Sequence, residues 1–184
     1  MKTHGKAFLA LAILCTVLFG AWATIRIVKA VQFDLNCEAY LKRAAEANTV
    51  EMAKLELSKA IDYAKDNKLT EGIVSIFLKN PQNDIGFWYG NLEAAHKELE
   101  NLPKDSAPLE KTNVLMKLRE SLTDRSSGDT KVNHPEGISV YPYNALYFWW
   151  CVLSVVGMSV FSSLFLNAAG FKVKKASVGI IKPE

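Results

Sequence analysis

The pair of residues in this sequence best suited to chemistry is in Glu93-Ala94-Ala95-His96. A Glu-x-x-His spacing puts a carboxylate and an imidazole on one helical face, as in bundles that hold two iron ions. Such a centre needs a second copy of the motif and two further glutamates from facing helices. There is no second copy, and the remaining histidines are His4 and His134, with His4 on the far side of an apolar stretch. The expected role of Glu93, His96 and Glu100 is a solvated helix edge, without metal or cofactor. Other catalytic patterns are missing as well: no glycine-rich phosphate loop, no nucleophile elbow, no CxxC pair, and no acidic residue inside an apolar stretch. An enzyme therefore ranks third among the readings considered.

Three further groups could bind rather than react. In Phe87-Trp88-Tyr89, only one face of a helix can be buried, so Trp88 is expected in the core while Phe87 or Tyr89 looks outward; an exposed Phe87 would call for a partner. Tyr141, Tyr143, Tyr147, Phe148, Trp149 and Trp150 crowd the start of the second apolar stretch, where amphipathic rings form a belt at the headgroup level of a membrane. Ala12, Thr16, Gly20 and Thr24 recur every four residues in the first stretch, as do Ser159, Ser163 and Asn167 in the second. Small and hydroxyl side chains at that spacing let helices approach and bond within lipid, joining the two stretches, several chains, or a larger assembly. The three cysteines, Cys15, Cys37 and Cys151, cannot form a closed set of disulfides, and Cys37 is expected as a buried thiol.

Those groups must be positioned by elements that the pattern of charge and hydropathy defines. Ala7 to Ile25 holds no charged residue in 19 positions and Gly137 to Phe171 none in 35, both long enough for a spanning helix. The expected organisation is a short tail at 1–6, a first span at 7–31 acting as signal anchor, a helical domain at 32–143, a second span at 144–171 and a tail at 172–184. A cleaved signal peptide ending at Ala21-Trp22-Ala23 is the alternative for the first span. The net charge of +3 hides a division, because residues 32 to 143 carry 14 Lys and Arg against 18 Asp and Glu. The basic excess sits beside the spans, which argues against nucleic acid and for lipid contact. Lys172, Lys174 and Lys175 directly follow the second span, with only Lys131 near its start, so both termini are expected in the cytoplasm, with the middle domain outside.

Within the domain, Phe33, Cys37, Tyr40, Leu41, Ala44 and Ala47 extend the first span as one long helix. Asn48 with Glu51 resembles a capping box, and Val50, Ala53, Leu57, Ile61 and Ala64 form the face of a helix ending near Asn67. Residues 69–83 read as irregular. Asp84 can cap a helix carrying Ile85, Trp88, Leu92, Ala95, Leu99 and Leu102. Ser106 and Pro108 can start another, with Leu109, Thr112, Leu115, Met116, Leu118 and Leu122 inward. Arg125 to Tyr143 reads as a polar loop with a possible strand at Ile138 to Tyr141, and Asn144 as a cap. The fold expected is an all-α membrane protein: two transmembrane helices flanking an extracytoplasmic bundle of three to four helices. The leading function is a non-enzymatic interaction module, a subunit or accessory of a membrane assembly in a bacterial cytoplasmic membrane, with lipid and other membrane proteins or further copies as partners. A span, bundle, span layout resembles that of bacterial membrane receptors with periplasmic ligand-binding bundles. A sensor is thus second, signalling through a partner because Lys172 to Glu184 is too short for an output domain.

Overall fold

The computed structural model describes residues 3–77, 79–124 and 131–170. Leu78, the polar run Arg125 to Thr130 and the lysine-bearing tail from Phe171 lie outside them. The described helices are α1 (Thr3–Phe33), α2 (Ala39–Ala45), α3 (Val50–Asp66), α4 (Ile85–Asn101), α5 (Pro108–Leu122) and α6 (Asn144–Ala168). A π-helical turn, Asp34–Glu38, joins α1 to α2, and a two-residue strand β1 (Thr123–Asp124) pairs antiparallel with β2 (Lys131–Val132).

Two compact units result, one holding the described residues up to Thr24 and from Phe148 on, the other Ile25–Tyr147. The first is a pair of helices long and apolar enough to cross a membrane, and only 6% of the most apolar window of each is buried. That exposure separates them from the core helices of a water-soluble domain, which are apolar because they are covered. The two run antiparallel: the Trp150 indole donates to Leu18 O at 3.1 Å, and a Cβ on Gly157 would lie 2.7 Å from Cys15 Sγ. Among the residues that are not exposed is a series at Gly5, Phe8, Ala12, Cys15, Phe19 and Trp22 on α1 and one at Cys151, Ser154, Met158, Phe161, Phe165 and Ala168 on α6, with Ala23, Trp150, Val152, Gly157 and Ser162 beside them. Alternating steps of three and four are the signature of a coiled-coil seam. Gly157 beside that seam lets the helices close.

The second unit is a helical bundle in which α3 packs on α2 and α4, and α5 on α2 and α4. The expected continuation of the first helix holds, since helical structure runs without a break over 42 residues, His4–Ala45. Phe33, Cys37 and Leu41 are all buried at four-residue steps. In a regular α-helix of about 3.6 residues per turn each such step overruns a full turn by about 40°. The wider π turn absorbs the overrun and holds the three in one line. Helix α3 begins one residue later than the capping-box reading placed it: Thr49, not Asn48, is in extended conformation and its hydroxyl accepts from Met52 N at 3.2 Å. Ala53, Leu57, Ala60, Ile61 and Ala64 form its buried face.

Asp84 caps α4 as expected, accepting from Phe87 N at 3.1 Å, and buries Ile85, Trp88, Tyr89, Leu92 and Leu99 behind it. Helix α5 begins at Pro108 as expected, but it departs from expectation in its cap and its face. Ala107 precedes it without a side-chain cap, and Leu109 and Met116 are 72% and 56% exposed. Only Leu118 and Leu122 are buried, with Val114 and Leu115 packed beside them. Residues 69–77 form no helix and are pinned by buried Leu69 and Val74 and a bridge from Ile73 to Asp84, while Pro81–Asn83 is a 3-10 turn. Ile138–Val140 is a 3-10 turn rather than a strand, because Gly137 precedes it at φ +83°, a left-handed conformation that breaks extension. Asn144 is the first residue of α6, and its amide donates to Gly137 O at 2.9 Å instead of capping the helix.

Candidate functional site

Glu93 and His96 share the side of α4 that faces α3, yet each is engaged separately. The Tyr89 hydroxyl donates to Glu93 Oε1 at 2.6 Å, with Lys65 Nζ 3.7 Å from the same oxygen. His96 Nδ1 lies 3.8 Å from Glu100 Oε2, while Lys54 Nζ holds the other Glu100 oxygen at 3.0 Å and keeps that carboxyl below its usual range. Among the described residues no three His, Cys, Asp or Glu side chains converge as a metal site would require. The arrangement is a row of ion pairs across a shallow groove between α3 and α4.

Tyr89 is the side chain in the aromatic triplet that periodicity left open. It is buried at 7% exposure, whereas Phe87 is 68% exposed. Burial, and then the bond to Glu93, raise the Tyr89 hydroxyl above its ordinary value of 10.0. Burial, and then the charge of Glu38, push the Cys37 thiol up to about 12 from 9.0. Cys37 is fully enclosed, its sulfur 3.9 Å from Ala60 O. Both groups hold their protons in the folded unit at pH values where the unfolded chain releases them. Stability is thus unaffected by them below about pH 9 and falls as pH rises above it. The expected result is a melting temperature that declines from pH 9 to 11 in the parent and less steeply in Tyr89→Phe with Cys37→Ala, read by thermal melts across that range.

Phe87 and Trp88 open onto a largely apolar cleft of about 350 Å³, formed by the first turns of α4, the end of α5 and residues 133–135. The Trp88 indole donates to Asn133 O at 3.0 Å, which ties α4 to the strand exit and fixes one wall. Pro81, Leu122 and Pro135 supply further apolar surface, Asn91 and Gln82 the polar groups. The volume is at the small end of ligand pockets, which run from about 300 Å³ upward.

The stripes of the two apolar helices occupy places that their spacing alone does not distinguish. Ala12 lies in the seam at 8% exposure, but Thr16, Gly20 and Thr24 are exposed, as are Ser159, Ser163 and Asn167. The hydroxyls of Thr16, Thr24, Ser159 and Ser163 each donate to the carbonyl four residues back at 2.9 Å, so none bridges the pair. The helices join through the seam instead, and the stripes point away from it. Tyr143 and Trp149 are 62% and 54% exposed, Tyr147 and Trp150 half-buried, all within the first two turns of α6. On α1, Phe19 and Trp22 stack with centroids 5.4 Å apart, one and four residues beyond the Leu18 carbonyl that Trp150 reaches. The aromatic cluster therefore has members on both helices, a feature visible only once the two are aligned.

Sequence reasoning also missed Glu56, buried in α3 at 5% exposure. Arg43 Nη2 and Lys59 Nζ meet its Oε1 at 3.0 and 3.1 Å, and both cations lie over the Tyr40 ring. Lys59 at three residues' distance was a local signal. Arg43 was not, being brought in from α2.

Comparison with protein-family models, with curated proteins and with solved structures finds no match to this chain.

Proposed function

We propose that the protein is a membrane-anchored interaction module, with α1 and α6 as its transmembrane helices and residues 32–143 as a helical domain outside the cytoplasm. It acts by association, as a subunit or accessory of an assembly in a bacterial cytoplasmic membrane. The observation that carries this reading is the outward placement of Thr16, Gly20, Thr24, Ser159, Ser163 and Asn167. The seam already holds the two helices together, so the outward small-residue faces are left for other helices. Their hydroxyls bond within their own helices, so what they offer is close approach of backbones more than new hydrogen bonds. Lysines 172, 174 and 175 support the orientation, and activity of a cytoplasmic reporter fused near Asp129 would overturn it.

Gly20→Leu, or Ser163→Leu with Asn167→Leu, should cost at least tenfold in recovery of whatever copurifies with the parent in mild detergent, or in self-association measured by crosslinking. His96→Ala should change neither. Stripe variants that retain every partner while His96→Ala loses function would sink the proposal.

The cleft at Phe87 and Trp88 favours a second reading, a sensor that binds a small apolar molecule and signals through a partner. Native mass spectrometry distinguishes it: a small molecule retained by the parent and lost in Asn91→Trp, which fills the cleft, would support a sensor.

A further inference from the structure

We propose that the segment Ile73 to Phe77 lies in the headgroup layer of the membrane that holds α6, with bilayer lipid covering its apolar side chains. This rests on the reading of α6 as a membrane helix. Phe77 is 66% exposed, Ile76 38% and Ile73 36%, while Val74 between them is buried at 5%. The segment thus buries Val74 and exposes Ile73, Ile76 and Phe77.

Its location follows from contacts within the second unit. Gly72 lies against the Tyr141 ring, since a Cβ at position 72 would be 2.8 Å from Tyr141 Cζ and would collide with the hydroxyl. Val74 Cγ1 would be 3.3 Å from a Cβ on Gly137, and Gly137 O accepts the Asn144 amide at 2.9 Å. Asn144 is where α6 begins. Ile76 and Phe77 are two and three residues beyond Val74, hence within about 7 and 10 Å of chain from that point. The backbone is held there by Val74 N to Asn83 O at 3.0 Å and Ile85 N to Gly72 O at 2.9 Å.

Neighbouring Tyr143 and Leu146 are 62% and 56% exposed at the start of α6. Scattered exposed apolar side chains need no explanation, but these adjoin an aromatic belt placed where rings sit at headgroup level. The apolar surface of the segment continues that belt. Bilayer lipid is the one occupant such continuity specifies.

Photocrosslinking of the full chain tests the assignment. Benzoylphenylalanine is placed singly at Phe77, at Leu153 on the exposed face of α6 and at Leu109. Leu109, 72% exposed, starts α5, whose other end meets the first turns of α4 through the Asn133 contacts with Leu122 and Trp88. Leu109 is therefore about 20 Å along α5 from that contact. The protein is reconstituted in nanodiscs of phosphatidylethanolamine and phosphatidylglycerol, irradiated, and searched for lipid adducts by mass spectrometry. Adducts are expected at 77 and 153, at least fivefold above 109. An adduct at 153 with none at 77 overturns the headgroup assignment and leaves the membrane reading standing. No adduct at either position overturns both. A protein adduct at 77 from native membranes, with no lipid adduct in nanodiscs, overturns it in favour of a protein partner.

Discussion

Replacing Leu92 with Asp is expected to unfold residues 25–147 while the apolar helix pair stays helical. Leu92 is 2% exposed in the centre of α4 and Leu118 3% exposed on α5. An aspartate at either place loses the packing of a buried leucine and leaves an unpaired carboxylate inside. Together these cost about 4 kcal/mol or more, against a total stability of about 5–15 kcal/mol for a domain of this kind. Trypsin susceptibility and amide exchange of the full chain in detergent give the readout, since helical signal from α1 and α6 would mask the loss in a spectrum. Leu109→Asp, on an exposed side chain of α5, should stay within about 0.5 kcal/mol of the parent. If Leu118→Asp keeps parental protection, α5 does not seat by the face described.

Gly72→Ala is expected to be nearly as damaging, for a reason no contact energy of glycine could suggest. Gly72 has φ +108°, a region side-chain-bearing residues rarely enter at a cost of about 1–3 kcal/mol. The added methyl would also meet the Tyr141 hydroxyl, and overpacking of that kind costs about 1–3 kcal/mol more. The sum of about 4 kcal/mol should lower the midpoint of chemical denaturation, followed by exchange at residues 25–147. Adding Tyr141→Ala should recover the steric part and leave the backbone part. No recovery would mean that Tyr141 is not what the methyl meets.

The parts of this fold that could be read in the sequence are those where one apolar stripe had no rival. Helix α3 shows Ala53, Leu57, Ile61 and Ala64 at regular steps, and all are buried. On α5 Leu109, Thr112 and Met116 lie off the line of Leu118 and Leu122, and periodicity could not tell which line faced inward. Two residues able to cap a helix stood side by side at Asn48 and Thr49, and only backbone conformation separates them. For the candidate site, Phe87 as the outward ring was one of two choices; Tyr89 is drawn inward by its place beside Trp88 and by Glu93 one turn on. In the apolar helices the four-residue spacing of small residues was legible, but whether it formed the seam was not. That depended on a second series at three- and four-residue steps, Cys15 to Trp22 against Cys151 to Phe165, made of side chains that carry no common chemical label.

The π turn at Asp34–Glu38 makes a deletion at this place unlike one anywhere else in the same rod. A π turn is an α-helix carrying one surplus residue. Deleting Asn36 would let the backbone relax to regular α-helix, with Phe33 and Leu41 then seven positions apart, about two full turns, and still in phase. Deleting Val28, by contrast, leaves the surplus in place and turns Ile25 to Ile27 by about 100° against Phe33 and the core behind it. The same loss of one codon is thus a silent trim at one point, and a turned helix face eight residues earlier.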